Sequence, residues 1–208
     1  MTLPKTYLTE RFTQALDYAV FHHKDQPRKG TDITYISHPL GVASIILEAG
    51  GSEDEAIAGL LHDVPEDCGG QVRLDEIKSM FGDNVARIVE ACSDTLVEDR
   101  STKPAWIVRK QGHLDHLKQN ADKSILLVTA ADKLHNARAI AADKQVMKSA
   151  IWTRFISEEK DFDKKRQLVL WYYNEVLNLV ETTPVENEVD KNVIASLKLT
   201  IAVMESQD

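Results

Sequence analysis

The apolar residues of this chain recur at helical spacing and nowhere alternate, which confines it to helices. Val42, Ile45, Ile46 and Ala49 follow the i, i+3, i+4, i+7 rule, and Phe12, Leu16, Ala19 and Val20 stripe a helix predicted over 6–24. Gly50-Gly51 ends the second helix, and Ser52 with Glu55 forms a capping box for a third that carries Ala56, Ile57, Leu60, Leu61 and Val64. Gly69-Gly70 breaks the chain again. Leu74, Ile77 and Phe81 mark a short fourth helix stopped at Gly82, and Asp83 is placed to cap a fifth carrying Val85, Ile88, Val89 and Cys92. Residues 93–103 are polar and unpatterned, a loop leading to a helix that starts near Pro104, where proline is tolerated. Ile125–Val128 alone has the look of a strand, but the longer pattern and its alanines make 122–141 a helix. Val169, Tyr172, Tyr173, Val176 and Val180 stripe a long helix after Ser157, and a last one runs from about Glu186 to Met204. The expectation is an all-α fold of eight to ten helices in one domain over 1–208, with a C-terminal helical extension at 145–208.

Composition removes whole classes of function. A chain of 208 residues buries roughly 70% of its unfolded surface, enough for a real core. Its 33 acids outnumber 25 Lys plus Arg, a net charge of −8 that argues against DNA or RNA as a partner. No apolar run approaches the ~20 residues of a membrane span, and the first residues lack the basic start and apolar run of a secretory signal. Cys68 and Cys92 make no disulfide framework and suit a reducing cytoplasm. Whether the chain forms a homo-oligomer is left open.

The chemistry lies outside the stripes. His62-Asp63 ends the third helix in LLHDVPED, His38 lies upstream in YISHPLGVA, and Asp132 lies downstream in TAADKLHNAR. Each is polar in an apolar helical setting, where an unpaired charge is costly to bury. A His-Asp dipeptide alone is most often a helix cap or a surface pair. The full set of two imidazoles and two carboxylates instead makes a mixed N/O site for a divalent ion such as Mn²⁺, Fe²⁺ or Zn²⁺.

Four blocks in a fixed order carry a resemblance: QPRKGTDITYISHP (26–39), LLHDVPEDCG (60–69), FGDNVARIVEACSD (81–94) and ILLVTAADKLHNARAI (125–140). Together these core motifs span 26–140. The chain resembles the HD-domain metal-dependent phosphohydrolases, and more narrowly the (p)ppGpp hydrolase domain of RelA/SpoT homologues in its stand-alone form, the small alarmone hydrolases. LWYYNEV (170–176) is a weaker match, to hydrolase-only members. The resemblance implies that His38, His62, Asp63 and Asp132 bind a metal, typically Mn²⁺ with other divalent ions as alternatives. It implies that Glu66 and Asp67 orient and activate the attacking water, in keeping with general-base chemistry beside a metal. It places Arg28 and Lys29 at the purine and phosphates, for which a planar guanidinium and an ammonium are suited, and Asn136 near ribose and base. Tyr35 is a candidate wall of the pocket, and Lys133 and Arg138 are candidates for phosphate. Arg138, two residues beyond Asn136, faces elsewhere unless the helix ends or bends.

The implied reaction is removal of pyrophosphate from ppGpp or pppGpp, giving GDP or GTP. The alternatives are a ppApp hydrolase, a nucleotidase, an NADPH phosphatase and a non-catalytic nucleotide-sensing module. Two departures from the family pattern leave the purine open: Cys68 stands where it usually has Thr, and Ala139 where it usually has Thr or Asp. Pro65 is expected to mark where the helix gives way to the site loop. His135 is expected just outside the metal ligands. His113 and His116 read as a solvated helical pair, and Trp106, Trp152 and Trp171 as core or interface anchors. Asp32 and Asp94 are speculative neighbours of the site.

Overall fold

Each helix begins and ends where local chemistry lets it. In the computed structural model, which describes residues 6–185 and 189–206, these are α1 (Glu10–His23), α2 (Ser37–Glu48), α3 (Glu53–Leu61), α4 (Val64–Cys68), α5 (Gly70–Phe81), α6 (Asp83–Cys92), α7 (Trp106–Asn120), α8 (Lys123–Met147), α9 (Phe162–Thr182) and α10 (Lys191–Glu205). Short 3₁₀ turns lie at Arg100–Thr102 and Lys148–Arg154. The described residues contain no strand, only an isolated antiparallel bridge between Pro27 and Thr34. The all-α expectation holds. No described helix is long and apolar enough to cross a membrane.

The capping box forms as the sequence predicts. Ser52 Oγ accepts from the Glu55 N–H at 3.3 Å, and Glu55 accepts from the Ser52 N–H at 2.6 Å. Glu55 is buried, and Ser124 Oγ donates to its second oxygen at 2.8 Å. One carboxylate thus ties the start of α3 to the start of α8.

Three local expectations need correction. Asp83 does not cap α6: Gly82 takes the cap position at φ 92°, and Asp83 sits in the first turn with Lys78 at 3.0 Å. Pro65 does not yield to a loop. It stands in the first turn of α4, where its missing N–H has no helical partner to lose. Pro104 lies outside α7, which starts at Trp106. The last helix starts at Lys191, capped by Asp190, and the proposed start at Glu186 falls outside the described residues.

One apolar cluster runs from Ala15 in α1 to Met204 in α10. α8, 25 residues long, is its axis: α2, α3, α6, α9 and α10 all pack on it. Its buried face includes Leu126, Val128, Ala131, Leu134 and Ala137. Gly41 lets α2 approach α8 closely, since a Cβ there would fall 2.2 Å from the His135 ring. That approach brings His38 of α2 to Asp132 of α8.

Candidate metal centre and its cavity

The break between α3 and α4 sets the histidine–aspartate pair. His62 is the last residue of the α3 turn and Asp63 the cap of α4, so neighbours in sequence can turn toward one point. The His62 Nδ1–H donates to the Gly59 carbonyl, 2.9 Å away, which leaves Nε2 bare. His38 Nδ1 shares a 2.9 Å hydrogen bond with His135 Nδ1, which orients the His38 ring in the same way. His135 is kept neutral, its pKa pushed down to about 4 by burial and by His38 and Arg28 nearby.

Four predicted ligands converge. His38, His62 and Asp132 are buried and offer ligand atoms within 4.8 Å of one another. Asp63 Oδ2 lies 3.4 Å from His38 Nε2 and 3.1 Å from His62 Nε2. Asp132 Oδ1 lies 3.1 Å from His38 Nε2 and 3.6 Å from His62 Nε2. Both Nε2 atoms are fully buried yet have no hydrogen-bond partner. Buried polar atoms are normally satisfied, and two orphaned imidazole nitrogens facing two carboxylates fit a divalent cation. The electrostatics agree. Burial opposes a charge on His62, but Asp63 and Asp132 outweigh it and hold its pKa well above the ordinary value. The cluster is an anionic pocket that attracts positive charge.

Partners fix the carboxylates. The Tyr35 hydroxyl donates to Asp63 Oδ2 at 2.5 Å. Asn136 donates to Asp132 Oδ1 at 2.7 Å while its carbonyl accepts from Arg28 at 2.9 Å, so it bridges the cluster and a predicted substrate residue. Lys133 Nζ donates to Asp132 Oδ2 at 2.5 Å. Such outer contacts orient ligands and tune them.

The acidic pair after the dyad is anchored. Gln26 donates to Asp67 Oδ2 at 2.7 Å. Glu66 accepts from Lys103 at 3.1 Å and lies 3.8 Å from Arg109. Burial raises the Glu66 pKa above the ordinary carboxylate range, and Lys110 only partly offsets it.

Beside the cluster lies a cavity of about 500 Å³. Arg28, Lys29, Tyr35, Lys133 and Asn136, all candidate substrate residues from the sequence, line it. Arg138 does not: it is exposed and borders a separate cleft with Glu48 and Asp190, since α8 does not end at Asn136 but continues to Met147. Ala139 lines the main cavity. Asp32 is exposed.

Several residues at the cavity escaped the sequence reading. Lys110, Arg154, Tyr172 and Tyr173 line it, and so does Trp106, expected only as an anchor. Trp152 is the fully buried anchor. His113 is not solvated. It is buried, and its Nδ1 lies 2.9 Å from the Tyr172 hydroxyl. Asp94, only 2% exposed, accepts from Arg109 at 2.5 Å and Lys110 at 2.7 Å, and so fastens the loop to α7. The signal for these residues was faint: a basic pair in WIVRK beyond an acid in ACSD.

Comparison with known proteins completes the assignment. Guanosine-3′,5′-bis(diphosphate) 3′-pyrophosphohydrolase MESH1 of Xenopus tropicalis is 41% identical over 128 residues, 60% of this chain. The chain spans 66% of that relative's length. The protein of the same name from Drosophila melanogaster is 31% identical over 181 residues, 84% of this chain and 87% of its own. A solved metazoan orthologue of SpoT, which hydrolyses ppGpp, superposes with a TM-score of 0.70 at 22% identity, covering 95% of this chain and 97% of that one. At that identity it speaks for the fold alone. The HD-domain family model matches residues 15–155, the stretch that holds all four converging ligands, and the chain belongs to the HD-domain family.

Proposed function

We propose that this protein is a metal-dependent hydrolase of the 3′-pyrophosphate of guanosine alarmones, converting ppGpp or pppGpp to GDP or GTP and pyrophosphate. One observation carries the reading: two orphaned imidazole nitrogens and two carboxylates meet at the edge of a cavity lined by cations. The names and activities of the relatives support it.

His38, His62, Asp63 and Asp132 would hold the divalent ion, with Mn²⁺ the first choice. Bound there, a cation would supply Lewis-acid chemistry, lowering the pKa of water and offsetting phosphoryl charge. The protein's own groups do the rest. Glu66 takes the proton from water, and its raised pKa makes it a better base than an exposed carboxylate. Asp67, held by Gln26, orients that water. Arg28 and Lys29 receive base and phosphate at the cavity mouth, Tyr35 and Asn136 hold the walls, and Lys133 meets a phosphoryl oxygen. The chain works as one unit over 1–208, with the motifs at 26–140 and the 145–208 extension closing the cavity. It acts in the cytoplasm on free nucleotide.

A second reading, hydrolysis of ppApp, draws on Ala139. Its methyl lines the cavity and can neither donate to nor accept from a purine edge. A parallel assay of ppGpp, ppApp and NADPH with Mn²⁺, following pyrophosphate and phosphate release, decides. Pyrophosphate from ppGpp is expected. Release from ppApp alone favours the second reading. Phosphate from NADPH alone makes the protein a phosphatase on the same centre, and turnover of none overturns hydrolysis.

A further inference from the structure

Tyr172 of α9 joins parts of the site that are far apart in sequence. Lys110 Nζ of α7 lies 4.9 Å from the centre of its ring and Lys133 Nζ of α8 lies 5.3 Å from it. An ammonium at these distances is drawn to the ring's negative face. Both lysines and the tyrosine line the cavity. The tyrosine is buried, Trp106 packs edge-on to it at 6.0 Å, and its hydroxyl is bonded to His113 at 2.9 Å. His113 stays neutral, its pKa lowered to about 3 by burial and by Lys133 and Lys110. The ring is therefore fixed from behind by a group that adds no charge of its own.

Among the described residues, each lysine also donates to one carboxylate. Lys110 donates to Asp94 at 2.7 Å and Lys133 to Asp132 at 2.5 Å. An ammonium has three donors, so each keeps capacity for another acceptor. Two like charges on one ring repel, and an anionic group shared between them relieves that repulsion. A group with two linked phosphates can engage both lysines at once, whereas a monophosphate satisfies one more easily than two.

We propose that Lys110 and Lys133, seated together on Tyr172, form a recognition site for a diphosphate group, with Tyr172 and His113 as positioning residues. The inference deepens the phosphohydrolase reading by giving the pyrophosphate end of the substrate a named cradle. Its test does not need turnover.

Inorganic pyrophosphate and orthophosphate are titrated into the purified full chain, with binding read by calorimetry and by Trp106 fluorescence. The parent is expected to bind pyrophosphate at least about tenfold more tightly than orthophosphate. Lys110→Met should weaken pyrophosphate binding about tenfold, the loss of one charge-assisted contact, and leave orthophosphate nearly unchanged. Lys110→Arg keeps the cation and should restore the preference. Tyr172→Leu removes the shared ring and should lose the preference with both lysines intact, whereas Tyr172→Phe keeps it. Should Tyr172→Leu fail to fold, the two Lys110 variants decide. A parent with no preference, or a folded Lys110→Met or Tyr172→Leu that binds pyrophosphate like the parent, overturns the inference. A protein that shows the full pattern but hydrolyses no 3′-pyrophosphorylated nucleotide overturns the functional reading and leaves the cradle standing.

Discussion

The two sides of the cavity are built by different rules. On the metal side, α2, α3, α4 and α8 place His38, His62, Asp63 and Asp132 through helix junctions and one glycine contact. On the far side, the start of α7, the turn after α8 and α9 contribute two or three residues each, and only tertiary packing brings them together. The metal side holds two orphaned imidazole nitrogens that face carboxylates. The far side holds cations whose carboxylate partners leave them donors to spare. The proposed chemistry would divide between the His/Asp cluster and the cationic wall, and Lys133, bonded to Asp132 and lying over Tyr172, touches both.

Variants can break this division. The largest effect is expected on the metal side, where His62→Ala or Asp63→Ala should abolish activity and bound metal together, as metal analysis of the purified variants would read. A metal-replete, active Asp63→Ala protein would remove Asp63 from the ligand set. Next, Glu66→Ala should keep the metal but lose rate by roughly 10²–10⁴, the range for a general base. Parental turnover in that variant would end its assigned role.

On the far side the effects are smaller and first concern stability. Asp94→Asn leaves Arg109 and Lys110 without their anionic partner and should cost about 2 kcal/mol at neutral pH. Burial opposes the charge on Asp94, but Lys110 and Arg109 outweigh it and depress its pKa. Its stabilisation is therefore complete above the unfolded carboxylate pKa and is lost as pH falls through the folded value. The gap in Tm between parent and variant should hold from about pH 6 down to the unfolded value of ~3.9 and shrink over the range from there toward the folded value. A gap that stays constant over that range would show that the carboxylate charge is not what holds the loop. The smallest effect is expected from Gly30→Ala. Gly30 has φ 73°, and a Cβ there would lie 2.9 Å from Arg154 Cδ. A cost of about 1 kcal/mol with raised KM and unchanged kcat would place this contact on the binding side of the division.

The sequence discloses the two sides unequally, for a physical reason. Ser52-Glu55 and Gly82 are local signals, and the helices start and stop where those signals say. His38, His62, Asp63 and Asp132 stand out because each is a charge or imidazole inside an apolar pattern. The far wall breaks no pattern. Tyr172 and Val169 read as ordinary core stripe in α9, and their faces turn out to line the cavity. His113 looked solvated because its spacing to His116 mimics an exposed pair, and only the position of Tyr172 shows it to be internal. Arg138 misled in the opposite sense. It follows a telling motif, but α8 runs on to Met147 and its side chain borders a separate cleft.

The length of α8 has one more consequence. Lys144, near its C-terminal end, is buried and donates to the Val203 and Ser206 carbonyls at the end of α10. The rod that presents Asp132 to the metal centre is therefore latched at its other end by the close of the last helix. Fraying of α10 would strand a buried ammonium. The price of an unlatched end would be felt along the same hydrogen-bonded rod that carries the ligand, making the carboxyl-terminal turns a remote guardian of coordination geometry.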